Sequence, residues 1–148
     1  MAVRNGDDVA ARSEMLMAAL EGGLSLQKGL GLVHSLSHPL GALKGKRLHH
    51  GTLNALFLPH VLRFNMGSCT KKMDRIADVL GLRQQADLPD ILSRKVTEIG
   101  LPLKLSELGV TEADCEPLVP IAFGDHCTAT NPRSATADDC RTLFRAAL

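Results

Sequence analysis

At 148 residues the chain is long enough for one ordinary domain with a proper core, and 45% hydrophobic against 22% charged residues marks it as globular. Its formal charge of +1 gives no electrostatic footprint for a nucleic acid or a membrane surface. With four Phe and no Trp or Tyr, the core falls to Leu, Ala, Val, Ile and Met, a palette that favours helices over sheets. Cys69, Cys115, Cys127 and Cys140 are widely spaced, form no CxxC pair and follow no signal peptide. They read as reduced thiols of a soluble, cytoplasmic protein.

In chain order, Asp7 to Leu20 predicts a first helix with Val9, Ser13, Leu16 and Leu20 on one stripe, interrupted or ended by Gly22-Gly23. Leu26 to Ser37 predicts a second, which should kink or end near Pro39. After the basic turn around Lys44, Lys46 and Arg47 comes a third helix, Gly51 to Phe64, with Pro59 as a kink or break. Both of these are apolar on most of their surface and should be buried.

Ser68 to Leu80 is an amphipathic helix with Cys69, Met73, Ile76, Ala77 and Leu80 inward and Gly81 as its stop. Leu88 to Ile99 follows, with Ile91, Leu92, Val96 and Ile99 as its stripe and Gly100 as its stop. Gly109 closes another short segment. Thr111 and Asp114 form a capping-box start for a helix to about Phe123, and Thr136 caps a last one, Ala137 to Ala147, with Cys140, Leu143 and Phe144 inward. No strand of useful length alternates. The fold class is all-α, a helical bundle of roughly six to eight helices in a single domain spanning residues 1–148.

Five of the six histidines, His34, His38, His49, His50 and His60, lie between Gly29 and Asn65. His34 and His38 are four apart and share a helical face, and a returning helix would bring His50 to them. Two imidazoles facing one cavity serve as two metal ligands, or as one ligand and one proton carrier. A lone histidine on an apolar helix is ordinarily a hydrogen-bonded core residue. For three around one turn, spacing alone leaves both readings open. His49 reads as a loop residue and His60 as structural. Asp125, His126 and Cys127 invite a second metal reading but have no matching cluster nearby in sequence; Asp7, Asp8 and Glu14 are better explained as helix N-terminal acids.

GLGLVHSLSHPLGA followed by HHGTLNALFLPHVLRFN resembles the metal-binding signature of the iron-containing (group III) alcohol dehydrogenases, and the likeness continues through ADVLGL, IGLPLKLSELGV and DHCTATNPR. What the chain resembles is the C-terminal, all-helical part of that two-domain fold. The resemblance implies NAD(P)-linked oxidation of an alcohol or reduction of an aldehyde, with Fe(2+) or, in some relatives, Zn(2+). It implies His34 and His50 as metal ligands and His38 as a catalytic residue, for proton relay or positioning beside the nicotinamide. The family's Asp ligand, its other His ligand and its NAD(P)-binding domain are expected upstream of residue 1, in a separate domain or subunit; no Gly-rich phosphate loop occurs here. A homodimer is compatible with the resemblance. The interval from His34 to His50 is two residues longer than the commonest family pattern, which leaves His49 and His50 in competition, with Gly51 favouring His50. Two other readings stand beside this one: a non-catalytic helical module or gene relic, and a zinc-dependent relative of the glycerol-dehydrogenase kind.

Overall fold

The computed structural model describes residues 1–82 and 88–148, and among these residues every regular element is helical. Eight α-helices run α1 (Val9–Ser25), α2 (Gly31–Gly41), α3 (His50–Asn65), α4 (Thr70–Val79), α5 (Leu88–Glu98), α6 (Glu112–Cys115), α7 (Val119–Gly124) and α8 (Ala137–Ala146). Short 3-10 turns link several of them, notably Glu116–Leu118 and His126–Thr130. The all-α expectation holds.

Helices α2 and α3 are the spine. α2 packs along α3 and against α7 and the His126–Thr130 turn; α3 packs on α5, and α7 on α8. Leu32, Leu36 and Leu40 of α2 interleave with Leu53, Leu56, Phe57 and Val61 of α3, and Val119, Ala122, Cys140, Leu143 and Phe144 close the core from the other side. Phe57 and Phe144 meet edge to face, with ring centroids 5.8 Å apart and planes at 77°, the geometry that aromatic quadrupoles favour. All four cysteines are free thiols.

Three glycine stops behave as the sequence requires. Gly81, Gly100 and Gly109 adopt positive φ. Each lies in a Schellman pattern, as where Leu82 N–H bonds Ala77 C=O while Gly81 N–H bonds Asp78 C=O. The capping boxes at Thr111–Asp114 and Thr136–Asp139 are both formed.

Several expectations change. α1 runs straight through Gly22-Gly23 to Ser25, because glycine merely weakens a helix and nothing crowds either residue. Its apolar stripe is bare: no residue of α1 is buried, and Leu16 is 71% exposed. Pro39 sits two residues before α2 ends, but Pro59 does not break α3, which continues to Asn65. The helix expected from Thr111 to Phe123 is divided by the Glu116–Leu118 turn, whose Pro117 cannot donate to an α-helical ladder. Ile76, Leu80 and Ile99, expected inward, are largely exposed, while Met73, Ala77 and Val96 are buried.

Phe144→Ala should lower the unfolding free energy by about 3–5 kcal/mol, whereas Leu16→Ala should change it by less than about 0.5 kcal/mol; urea denaturation of the chain measures both. A second prediction concerns acid. The Lys46 ammonium, followed by the Thr111 hydroxyl and N–H, holds the Asp114 carboxyl down from 3.8 to about 2. A carboxyl lowered on folding stabilises the folded chain above its unfolded value and loses that contribution as pH falls toward the folded one. Lys46→Met should therefore destabilise the chain most above pH of about 4, with the deficit shrinking as pH is lowered toward about 2. A deficit independent of pH in the same denaturation series would contradict this assignment.

Candidate metal centre

His34 and His38 lie one turn apart on α2, and His50 is the first residue of α3, so the antiparallel return of the chain gathers all three. Ring centroids are 5.1 Å apart for His34 and His50, 5.4 Å for His38 and His50, and 5.6 Å for His34 and His38. The His38 ring lies nearly parallel to that of His50, at 17°. His49, at the N-cap of α3, is exposed. Its ring passes so close to Gly51 that a Cβ there would meet it at 3.1 Å, so the glycine lets the adjacent histidines part company. His60 is half-buried on α3, its imidazole pKa lowered by burial and then by Arg63.

Asn54, one turn after His50, ties His34 and His50 together. Its side-chain amide nitrogen lies 3.3 Å from His34 Nε2 and 3.1 Å from His50 Nε2, so one NH2 group faces two imidazole lone pairs. Its oxygen accepts from the Ser37 hydroxyl at 2.7 Å, and Ser37 Oγ lies 3.5 Å from His50 Nδ1. His34 Nδ1 is buried without a hydrogen-bond partner. Burial, then the neighbouring His50 and His38 imidazoles, lowers the His34 pKa below 6.5, with the Leu30 carbonyl acting the other way. The ring is therefore neutral at pH 7, the form in which a histidine binds a metal.

His38 faces a different partner. Its Nδ1 is 2.9 Å from Asp125 Oδ2, and the other oxygen of Asp125 accepts from the Cys127 N–H at 2.8 Å, capping the His126–Thr130 turn. Burial pushes the Asp125 carboxyl up, but the hydrogen bonds from His38 and Cys127 outweigh it and hold the group below its ordinary value. Asp125 is thus a carboxylate at neutral pH that fixes His38 with a proton on Nδ1. Cys127 is buried, and its thiol is pushed up to about 11 by burial and by Asp125. Donor atoms of His38, Asp125 and Cys127 lie within 4.8 Å of one another. Both oxygens of Asp125 are nevertheless committed to other bonds, and the adjacent His126 side chain is 83% exposed.

The surrounding loops are built for close approach. Gly29 and Gly31 have φ of 95° and 67°. A Cβ on Gly31 would meet Asn131 Oδ1 at 2.9 Å, and one on Gly29 would overlap Thr130. That proximity lets Asn131 cap α2 by accepting from the Leu32 N–H at 3.2 Å. An open recess of about 310 Å³ beside His34 is lined by Leu30, Val33, Asn54, Ala55 and Leu58.

Two imidazole nitrogens converging on a single donor group suit a divalent ion such as iron or zinc. His34 and His50 would hold it, as two ligands of a larger set. Sequence reasoning missed Asn54 and Ser37, and it named Asp125 only within a weak metal reading, without its contact to His38. Asn54 was within reach, because its i+4 spacing from His50 puts both on one face; the pairing of Asp125 with His38, 87 residues away, had no local signal.

The sequence pattern described as "Fe-containing alcohol dehydrogenase family, C-terminal" matches residues 1–148. The chain is 43% identical to the 4-hydroxybutyrate dehydrogenase of Cupriavidus necator, covering 97% of this chain and 39% of that protein. It is 38% identical to the NAD-dependent methanol dehydrogenase of Bacillus methanolicus, covering 99% and 40% respectively. Among solved structures, a 1,3-propanediol oxidoreductase superposes with a TM-score of 0.91 at 32% identity, over 99% of this chain and 40% of the other. The chain thus spans about two fifths of the length of these relatives. With its fold and its sequence both matched from end to end, the chain belongs to the Fe-containing alcohol dehydrogenase family, where it corresponds to the C-terminal helical part.

Proposed function

We infer that this chain is the metal-holding helical part of an NAD(P)-linked alcohol dehydrogenase, acting on a small alcohol or aldehyde in the cytoplasm. The observation that carries the reading is the convergence of His34 and His50 Nε2 on one point, with a third imidazole stacked beside them. His34 and His50 supply two ligands for Fe(2+), or for Zn(2+) as the alternative ion. A divalent ion there would supply Lewis-acid polarisation of the substrate oxygen. NAD(P) is held by a nucleotide-binding domain or subunit outside these 148 residues, together with the remaining ligands. The exposed apolar residues of α1 support the presence of further protein against it, whether that domain or a second copy in a homodimer.

His38 is the group that moves a proton. Asp125 engages Nδ1, which leaves Nε2 as the nitrogen that takes or returns the proton of the substrate hydroxyl, and the carboxylate stabilises the imidazolium that forms. The parallel His50 ring fixes His38 from its other side, so the proton carrier is positioned against a ligand of the ion.

Zinc or ferrous iron titrated into the chain should bind more weakly by more than about tenfold in His34→Ala and in His50→Ala than in wild type. Indistinguishable binding in all three would instead favour a non-catalytic module. The purified chain should show no NAD(P)-dependent alcohol oxidation on its own, and turnover by it would refute the placement of the nucleotide site elsewhere.

A further inference from the structure

We propose that His38, Asp125 and Cys127 form a second cation site, separate from the His34 and His50 pair and suited to zinc or a similar divalent ion. The sequence sets Asp125, His126 and Cys127 side by side but offers no further ligand near them. The fold supplies one from 87 residues away, because the His126–Thr130 turn packs on α2 and brings Asp125 to His38. One donor atom from each of His38, Asp125 and Cys127 then lies within 4.8 Å of the other two.

Distance and donor type agree. Zinc bonds of about 2.0–2.3 Å place tetrahedral ligands roughly 3.3–3.8 Å apart. His38 Nδ1 and Asp125 Oδ2 are 2.9 Å apart, so a small spreading of the groups admits an ion. Imidazole, carboxylate and thiolate make a zinc-type set, and the sulfur turns it away from magnesium or calcium. His126 stands at the exposed rim, its Nε2 3.4 Å from the Cys127 sulfur and its Nδ1 3.6 Å from Asp125. The fourth position of a tetrahedral ion falls to water or to this ring.

The bonds that Asp125 makes do not close the site. Oδ1 accepts the Cys127 N–H at 2.8 Å and keeps a second lone pair. The bonds from His38 Nδ1 and from the Cys127 thiol carry protons that an ion displaces. The His38 proton shifts to its other ring nitrogen. The thiol proton, held to about 11 by burial and by the carboxylate, leaves to solvent as the sulfur joins the ion. An ion held here withdraws His38 from proton transfer, so the site is inhibitory in the assembled enzyme. That consequence rests on the role given to His38 above; the site itself does not.

Cobalt(II) titration of the 148-residue chain tests the site, because a cobalt–thiolate bond gives a near-ultraviolet charge-transfer band that histidine ligands alone do not. Wild type should develop this band. His50→Ala, an exposed change in the other pair, should keep it, and so should Cys69→Ser. Cys127→Ser should abolish it. Asp125→Asn and His38→Gln should each weaken the binding read from the band by more than about tenfold. No band in wild type, a band that survives Cys127→Ser, or unchanged affinity in Asp125→Asn would overturn the proposal. Loss of the band in His50→Ala would overturn it too, by showing one site where two are proposed.

Discussion

A pair of amides, one buried and one half-buried, holds this molecule in register. Asn65, 5% exposed at the end of α3, and Asn131, just beyond the His126–Thr130 turn, donate to each other's oxygens at 3.1 and 2.7 Å. Asn131 also accepts from the Leu32 N–H at the start of α2 and donates to the Arg133 carbonyl. One contact thereby joins the beginning of α2, the end of α3 and the loop that carries Asp125. A buried amide such as that of Asn65 is costly without a partner, so the arrangement favours having all three segments in place. Arg133 adds a second clasp, with its guanidinium 3.9 Å over the Phe64 ring and a hydrogen bond to the Phe64 carbonyl.

That clasp explains why the site is made of residues so far apart in sequence. With the start of α2 and the end of α3 both tied to Asn131, the opposite ends of the two helices must meet, bringing His38 and His50 together. The same tie fixes the loop that delivers Asp125 to His38. The imidazoles divide into two systems with different polar partners. His34 and His50 share the Asn54 side chain, whereas His38 contacts the Asp125 carboxylate.

How much of this was legible beforehand depends on the range of the interaction. Glycine stops at 81, 100 and 109, the capping box at Thr111 and the cap at Thr136 are local and were read correctly. The i+4 spacing of His34 and His38, and the Gly51 that favoured His50 over His49, were also visible. Local rules overreached at Gly22-Gly23, where the helix tolerates what propensity alone disfavours. The stripes of α1, α4 and α5 named faces but not what would cover them, and Leu16, Ile76 and Ile99 remain exposed.

By itself the sequence determined an all-helical chain, a histidine-rich helical pair and a family resemblance, because periodicity, caps and motif spelling are short-range properties of the chain. Tertiary structure alone decided that Asn54 stands between His34 and His50, that Ser37 contacts it, and that Asp125 reaches His38. Those contacts depend on which way side chains point once α2 and α3 are packed, and on hydrogen-bond direction between groups up to 87 residues apart. No spacing along the chain encodes either.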